Sequence, residues 1–205
     1  LGYNIEDPQA PLIPTRQQAN AGGQVDPAQL RARSSGRSPA GILVPTLGDA
    51  LYASTSGRSK VFGISGKDRS AVAMAGKSGV AYWYSTDTGD FQSSAYYMSS
   101  YPAWVQDWNA ERKAEALQGQ QWALLLEPRA YRYADRDDRP YEIDLKGYGR
   151  TFPHAFGIKD HPLFFTRILV SPNADQLLLD FARSLIRAED VGQDAVTDSL
   201  SITCS

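Results

Sequence analysis

The chain has 205 residues, of which 42% are hydrophobic, so it is long enough to build an ordinary core. Its 21 Lys and Arg residues nearly balance its 23 Asp and Glu residues, which leaves no large positive field for a nucleic-acid backbone or an anionic membrane. No apolar run approaches the ~18 residues needed to span a bilayer. A single cysteine excludes an internal disulfide and a cysteine-rich zinc site within the chain.

The N-terminal part of the chain is rich in Pro, Gln, Ala, Gly, Ser and Arg and has little hydrophobic periodicity. Residues 9–40 are therefore predicted to be a surface excursion, with order beginning at Gly41. A short helix is expected over residues 27–33, because Asp26 can cap it and Pro27 suits its first turn. The arginines of this stretch lack a hydrophobic anchor, so we interpret them as solvated charges rather than as an anion site. They are Arg31, Arg33 and Arg37.

An alternation of helix and strand patterns follows. A short helix is predicted over residues 46–53, where apolar residues recur at helical spacing. Residues 60–65 have the pattern of a short buried strand that runs into Gly66, and a helix from Asp68 should stop at Gly76. A strand, a glycine turn and a helix are the basic unit of an α/β sheet.

The middle of the chain is less regular. Residues 80–94 alternate aromatic and polar side chains around a turn at residues 86–89, which predicts a hairpin. A charged helix is expected over residues 109–118. Residues 129–159 are polar and have no clear period, so we interpret 78–160 as a cap or insertion.

The clearest helix pattern begins with Ser171 as the expected N-cap and Pro172 at the first position. Its apolar residues recur at intervals of three and four and form one stripe that should be buried. They are Leu177, Leu178, Phe181, Ala182, Leu185 and Ile186. A final strand is predicted over residues 199–204, with Cys204 as a small apolar strand residue. We therefore expect an α/β fold with helices on both faces of a doubly wound sheet, and Ile64 and Ile202 on neighbouring strands.

The best candidate for chemistry is the turn that contains Lys67 and Arg69. In an extended turn, side chains two residues apart leave on the same side, whereas on a helix they would diverge. Lys67 could then act as a point charge and Arg69 as a planar fork on an oxyanion, next to the positive end of the following helix. An exposed turn without function accounts for the same residues, and on spacing alone it is the more frequent case.

Other polar clusters favour structural interpretations. His154 and His161 are not spaced with a second carboxylate or histidine that would complete a zinc shell, even though Asp160 precedes His161. An acidic cluster alternates with arginines, as is typical of solvated loop charges. It consists of Asp135, Arg136, Asp137, Asp138 and Arg139.

Aromatic residues could form a platform for a sugar or a base, but core packing under a cap is the more frequent role of such residues. They are Tyr82, Trp83, Tyr96, Tyr97, Trp104 and Trp108. The chain has no Gly-x-Ser-x-Gly elbow, and its one cysteine and two histidines do not assemble a nucleophile triad. The residues alone therefore provide no complete active site.

Several stretches, in order along nearly the whole chain, resemble phosphate-irrepressible alkaline phosphatases. The resemblance is carried by residues 3–8, 44–49, 60–69, 82–84, 89–97, 102–105 and 108–109 and by the closing helix and strand. This family belongs to the alkaline phosphatase superfamily and is related to type I phosphodiesterases and nucleotide pyrophosphatases. The resemblance implies that residues 1–205 are an internal segment of one catalytic domain with an alkaline phosphatase-like sheet.

The resemblance implies that Lys67 and Arg69 bind the non-bridging oxygens of a phosphate monoester. It also implies a Thr or Ser nucleophile, an Asn oxyanion ligand and two zinc ions whose ligands all lie outside this chain. The missing flanking segments would then be needed for activity, and the chain alone should be inactive. A periplasmic or secreted location is implied as well.

Two other hypotheses remain open. A phosphodiesterase or nucleotide pyrophosphatase of the same superfamily is one, although those relatives usually lack the pair formed by Lys67 and Arg69. A non-catalytic fragment or phosphate-binding module is the other. The preferred substrate and the oligomeric state are not indicated by the sequence.

Overall fold

The structure is a computed structural model that describes residues 5–16, 36–133, 137–142, 144–145 and 147–204. The helix predicted over residues 27–33, with Arg31 and Arg33, lies outside the described residues. The same is true of Asp135 and Arg136 in the acidic cluster.

The described helices are α1 (Leu47–Ser54), α2 (Asp68–Ala75), α3 (Ala103–Ala110), α4 (Phe164–Leu169) and α5 (Pro172–Ala188). The strands are β1 (Val61–Ser65), β2 (Val80–Tyr84), β3 (Phe91–Gln92), β4 (Gln121–Trp122), β5 (His154–Ala155) and β6 (Ser199–Thr203). Single 3₁₀ turns lie at Glu115–Leu117 and Pro128–Ala130. The helices predicted over 46–53, from Asp68 and from Pro172 are thereby confirmed.

Four strands form the main sheet in the order β3, β2, β1, β6. β1 pairs in parallel with β2 on one side and with β6 on the other. β3 joins β2 in antiparallel orientation, which confirms the predicted hairpin. Ile64 lies directly opposite Ile202, as predicted for neighbouring strands. A short second sheet pairs β4 with β5.

Helices cover both faces of the main sheet, which confirms the predicted α/β class. Because side chains alternate along a strand, Phe62 and Ile64 enter one core cluster with α5, while Ala81 and Trp83 enter another with α2. The stripe predicted on α5 is buried except at Ile186, which is 37% exposed at the edge of the stripe. Burial of such a stripe supplies most of a helix's stability in a protein.

A glycine in β1 sets the distance between the sheet and α2. A Cβ atom on Gly63 would lie 2.4 Å from the Ala71 carbonyl oxygen and 2.8 Å from the Ala75 amide nitrogen. No other residue type fits there without displacing the helix. α2 therefore packs on β1 more closely than a side chain at position 63 would permit.

The charged helix expected over residues 109–118 is wrong. The helix in this region is α3, which ends at Ala110, and Arg112 has a positive φ of 52°. Trp104 and Trp108, four residues apart on α3, both pack against Phe181 of α5. Aromatic packing, rather than the charges after residue 110, therefore decides where the helix lies.

Order begins earlier than Gly41, contrary to the prediction. Ile5 and Ala10 are each 3% exposed and belong to the buried residues. The Arg37 amide donates to the Ala10 carbonyl at 2.9 Å, and the Ser38 amide donates to the Ile5 carbonyl at 2.9 Å. Residues 5–10 and residues 36–38 are hydrogen-bonded to each other. Neither segment therefore needs a hydrophobic period of its own.

Part of the region predicted as a cap or insertion belongs to the main sheet. β2 and β3 fall within residues 78–160 yet belong to the main sheet, so a cap could only be formed by residues after β3. A cap role for those residues stays a prediction. Cys204 is exposed and follows the last residue of β6, so it is not the strand residue that the alternation predicts. None of the described helices combines the length and the apolar character required to cross a membrane.

The outer edge of the sheet at β3 is occupied by a side chain. The Phe91 amide donates to Asn109 Oδ1 at 2.9 Å, and Asn109 Nδ2 donates to the Phe91 carbonyl at 2.9 Å. Asn109 is itself buried at the end of α3. The amide thus satisfies both backbone groups of an edge residue as a neighbouring strand would.

Asp49 ties α1 to the loop that follows α2. Its carboxylate and Thr46 form a reciprocal capping box at the start of α1. Asp49 Oδ1 also accepts hydrogen bonds from the Lys77 and Ser78 amides, each at 2.8 Å. Burial alone would raise the pKa of Asp49, but the hydrogen bonds from Thr46 and Ser78 outweigh it and lower the pKa below 3.8.

We expect Asp49→Asn to lower the free energy of unfolding by about 1–3 kcal/mol, because an amide cannot accept all of these hydrogen bonds. Because the pKa of Asp49 is lower in the folded chain, the full difference in unfolding free energy should be present above the unfolded-state pKa of roughly 4. The difference should shrink as the pH falls through the folded-state pKa. Urea unfolding of both proteins between neutral and strongly acidic pH measures it.

Asp107→Asn is the matched control, because Asp107 is exposed on α3. Its free energy of unfolding should stay within about 0.5 kcal/mol of the unsubstituted chain. An Asp49→Asn effect that is equally small, or that grows in acid, would contradict the assigned role.

Candidate anion-binding site

The turn after β1 lies where the carboxyl ends of three parallel strands, β1, β2 and β6, meet. Ser65 is buried at the last position of β1. Its hydroxyl donates to the Thr203 carbonyl of β6 at 3.3 Å and accepts from the Lys67 amide at 3.1 Å. One hydroxyl therefore joins two strands and fixes the backbone of the turn.

Lys67 and Arg69 are both exposed at this edge of the sheet. Lys67 has extended backbone angles and occupies the N-cap position of α2, whereas Arg69 is already in the first helical turn. The sequence pattern predicts an extended turn for both residues, but only Lys67 has extended backbone angles. The spacing therefore does not predict that the Lys67 and Arg69 side chains leave on the same side, because Arg69 is helical. Within the described part of the chain, neither cation is engaged in an ion pair.

Asp68, which separates the two cations in the sequence, is paired with a buried arginine. Arg37 Nε lies 2.6 Å from Asp68 Oδ2, and the Arg37 side chain is 2% exposed. The interpretation of Arg37 as a solvated charge is therefore wrong. No pattern around Arg37 could have revealed this, because its partner is 31 residues further along the chain.

Within the turn itself, residues 65–69, the ion pair with Arg37 neutralises Asp68. Lys67 and Arg69 are left as the two charges of the turn without an ion pair in the described part of the chain. The amino end of the eight-residue helix α2 adds a partial positive charge at the same place. The arrangement is suited to a multiply charged anion held by a point charge and a planar fork.

The histidines have contacts that fit structural roles. His154 is buried, contacts the rings of Trp122 and Tyr148, and has its Nδ1 3.3 Å from the Tyr148 carbonyl. His161 Nδ1 accepts from the Leu163 amide at 3.1 Å. Burial, together with the charge of Arg167, lowers the pKa of His161.

The acidic cluster belongs to the loop surface as far as it is described. Asp137 accepts a hydrogen bond from the Phe152 amide at 2.7 Å. Asp138 forms an ion pair with Arg150 at 2.7 Å, and the side chains are 60% and 36% exposed, respectively. Among the described residues, no group of three or more His, Cys, Asp or Glu side chains could hold a metal ion.

The aromatic residues divide into core and surface. Tyr82, Trp104 and Trp108 surround Phe181 with ring centroids 5.1–5.3 Å from it, and Trp83 is buried on the opposite face of the sheet. Core packing is therefore their role. Tyr96 and Tyr97 contact each other edge to face near the end of α2, and their hydroxyls donate to the Lys77 and Gly76 carbonyls.

Three curated proteins resemble the chain in sequence. The alkaline phosphatase PhoV of Synechococcus elongatus is 38% identical over 171 residues, which are 82% of this chain and 31% of PhoV. The alkaline phosphatase PafA of Elizabethkingia meningoseptica is 32% identical over 182 residues, or 87% of this chain and 33% of PafA. A protein of Myroides odoratus named calcium-transporting ATPase is 35% identical over 173 residues, or 82% of this chain and 32% of that protein. The chain thus spans about a third of the length of these relatives.

Solved structures agree with the sequence comparison. The crystal structure of wild-type PafA superimposes with a TM-score of 0.79 at 29% identity, over 98% of this chain and 36% of PafA. A PafA variant with four substitutions gives the same TM-score at 28% identity, over 98% of this chain and 37% of the variant. No family model matches the chain. The resemblance inferred from the sequence and the α/β fold that it implied are both confirmed.

We expect Ser65→Ala to lower the free energy of unfolding by about 1–3 kcal/mol, because the partly buried Lys67 amide would lose its acceptor and the Thr203 carbonyl its donor. Chemical denaturation measures the change. The matched control is Ser54→Ala at the exposed end of α1, where the expected change is within about 0.5 kcal/mol. Equal stability of the two variants would show that the Ser65 hydroxyl does not support the turn.

Proposed function

Because this chain is homologous to PafA-type alkaline phosphatases over about a third of their length, we propose that it contributes the phosphate-binding part of a phosphate monoester hydrolase. Lys67 and Arg69 are the residues that we assign to the substrate's phosphoryl group. The nucleophile and the other catalytic groups would come from segments outside these 205 residues. We further propose a periplasmic or secreted location, which rests on the family resemblance alone.

One observation carries the proposal: the two cations next to the amino end of α2 have no carboxylate partner among the described residues. Exposed cations without a partner at the carboxyl edge of a parallel sheet are available to a ligand. The solved PafA variant adds support, since its four substitutions include a lysine and an arginine two positions apart, both changed to alanine. Lys67 and Arg69 have the same order and spacing.

Lys67 and Arg69 are suited to different interactions with the phosphoryl group. The Lys67 ammonium is a compact charge that can follow an oxygen as the phosphoryl group moves. The Arg69 guanidinium is planar and can donate to two non-bridging oxygens at once. In phosphoryl transfer, charge is spread over those oxygens, and cations placed next to them lower the energy of the transition state.

Zinc does not fit the residues that the structure describes. Their carboxylates and histidines do not gather into a metal site, and both histidines are engaged in contacts of their own. We propose two zinc ions only for the complete enzyme, meaning a polypeptide of the relatives' length that contains this chain. Their ligands would lie outside the chain, as the family resemblance implies.

One alternative hypothesis differs from this proposal in the charge of the substrate, and the other differs in turnover. A phosphodiesterase or nucleotide pyrophosphatase of the same superfamily would act on a phosphoryl group with one fewer charged oxygen, for which two free cations are less suited. The Myroides relative is named a calcium-transporting ATPase, and ATP hydrolysis also transfers a phosphoryl group. A non-catalytic phosphate-binding role would retain the anion site and show no turnover.

We predict that Lys67→Ala and Arg69→Ala each lower kcat/KM for a phosphate monoester by ~10- to 1,000-fold in the complete enzyme. A phosphate diester should lose less, because it has one fewer charged non-bridging oxygen for the cations to stabilise. Steady-state kinetics with p-nitrophenyl phosphate and bis-p-nitrophenyl phosphate compares the two substrates.

Lys77→Ala and Arg58→Ala are the matched controls. Lys77 is an exposed lysine just after the other end of α2, and Arg58 is an exposed arginine before β1. Both variants should retain the activity of the unsubstituted enzyme on both substrates. Equal losses for monoester and diester in the Lys67 and Arg69 variants would remove the main support for a monoesterase.

We also predict that the isolated 205-residue chain hydrolyses no phosphate monoester, because the proposed nucleophile and zinc ligands are not among its residues. The assay is release of p-nitrophenol by the purified chain with added zinc, compared with the complete enzyme. Turnover by the chain that a chelator abolishes would contradict this prediction, since it would require a metal site that we do not assign.

A further inference from the structure

Asp68, the ion-pair partner of Arg37, is next in sequence to both cations of the candidate site. Asp68 lies between Lys67 and Arg69 in the sequence, so its carboxylate is the nearest anion along the chain to both. Adjacent residues at a helix start do not face each other, so pairing would require the long Lys67 or Arg69 side chain to bend back toward this carboxylate. It is held instead by Arg37, whose Nε lies 2.6 Å from Asp68 Oδ2.

Arg37 is fixed from several directions. Its amide donates to the Ala10 carbonyl at 2.9 Å, and its carbonyl accepts from the Ser94 hydroxyl at 2.5 Å. Its Nη1 donates to the Gly36 carbonyl at 2.5 Å, and the side chain is almost fully buried. A guanidinium held in this way cannot follow a moving carboxylate, so the carboxylate stays where Arg37 is.

Asp68 is fixed by a second hydrogen bond as well. Its Oδ1 accepts from the Arg69 amide at 2.8 Å, while its Oδ2 is bound to Arg37. Both carboxylate oxygens are thereby engaged, and the Asp68 side chain is only 18% exposed. Neither Lys67 nor Arg69 has an ion pair with it in the described part of the chain.

We propose that Arg37 is a positioning residue that withholds the Asp68 carboxylate from Lys67 and Arg69 and so keeps both cations free for phosphate. This inference rests on the proposed function. Without Arg37, the carboxylate would compete with the substrate for the same two cations, and each binding event would first have to break an internal ion pair. The competition would weaken ground-state binding of phosphate more than it would slow the chemical step.

The test uses the complete enzyme and the inhibition constant for inorganic phosphate. Arg37→Met should raise that constant, and KM for p-nitrophenyl phosphate, by roughly 3- to 10-fold with a smaller change in kcat. Adding Asp68→Leu removes the competing carboxylate, so the double variant should return to within about 3-fold of the unsubstituted enzyme. Replacing both members of a buried ion pair by apolar residues usually preserves stability, which the melting temperature checks.

The double variant distinguishes withholding from a merely structural role. A structural role predicts that the double variant binds phosphate at least as weakly as Arg37→Met, and this result would overturn the proposal. An unchanged inhibition constant in a folded Arg37→Met enzyme would overturn it too. If Arg37→Met does not fold, the double variant decides alone: tight phosphate binding supports the proposal and weak binding refutes it.

Two further variants separate this proposal from the proposed function. Lys113→Met breaks an ion pair with Asp180 on the opposite face of the sheet and should leave phosphate inhibition unchanged. Lys67→Ala and Arg69→Ala should each weaken phosphate inhibition. If they do not, the proposed function fails; if they do and Arg37→Met has no effect, only the withholding role fails.

Discussion

The close contact between β1 and α2 is the constraint on which the rest of the site depends. It exists because Gly63 has no side chain, so the Ala71 carbonyl can lie where a Cβ atom would otherwise be. With the helix held against the strand, the chain must reverse direction within Gly66 and Lys67. The helix therefore begins at the edge where β6 also ends, and its first residues are presented to solvent there.

The charges at this edge show how burial assigns different roles to the same residue type. Arg37 and Arg69 have identical side chains, but Arg37 is buried and paired with Asp68, whereas Arg69 is exposed. A buried guanidinium must be paired because water no longer solvates it. An exposed one keeps its hydration until a ligand replaces the water, and this is the state that an anion-binding residue requires.

Local patterns predicted most of the fold. β1, α2 and α5 follow from hydrophobic period, glycine and proline, which depend on neighbours in the sequence. The burial of Arg37 and the early end of α3 could not be predicted, because each is decided by a partner far along the chain. The position of Lys67 after a strand indicates it as a candidate, but the role that we propose for it rests on family resemblance rather than on spacing.

The hydrogen bonds between Asn109 and Phe91 make the two edges of the main sheet, β3 and β6, unequal in accessibility. A foreign strand approaching β3 finds the amide and carbonyl of Phe91 already occupied, so pairing there would require Asn109 to be displaced. β6, by contrast, is half-exposed along its whole length. An additional strand would therefore meet less obstruction at β6 than at β3, where Asn109 and the segment around Ile13, whose amide donates to the Ser93 carbonyl, would both have to move.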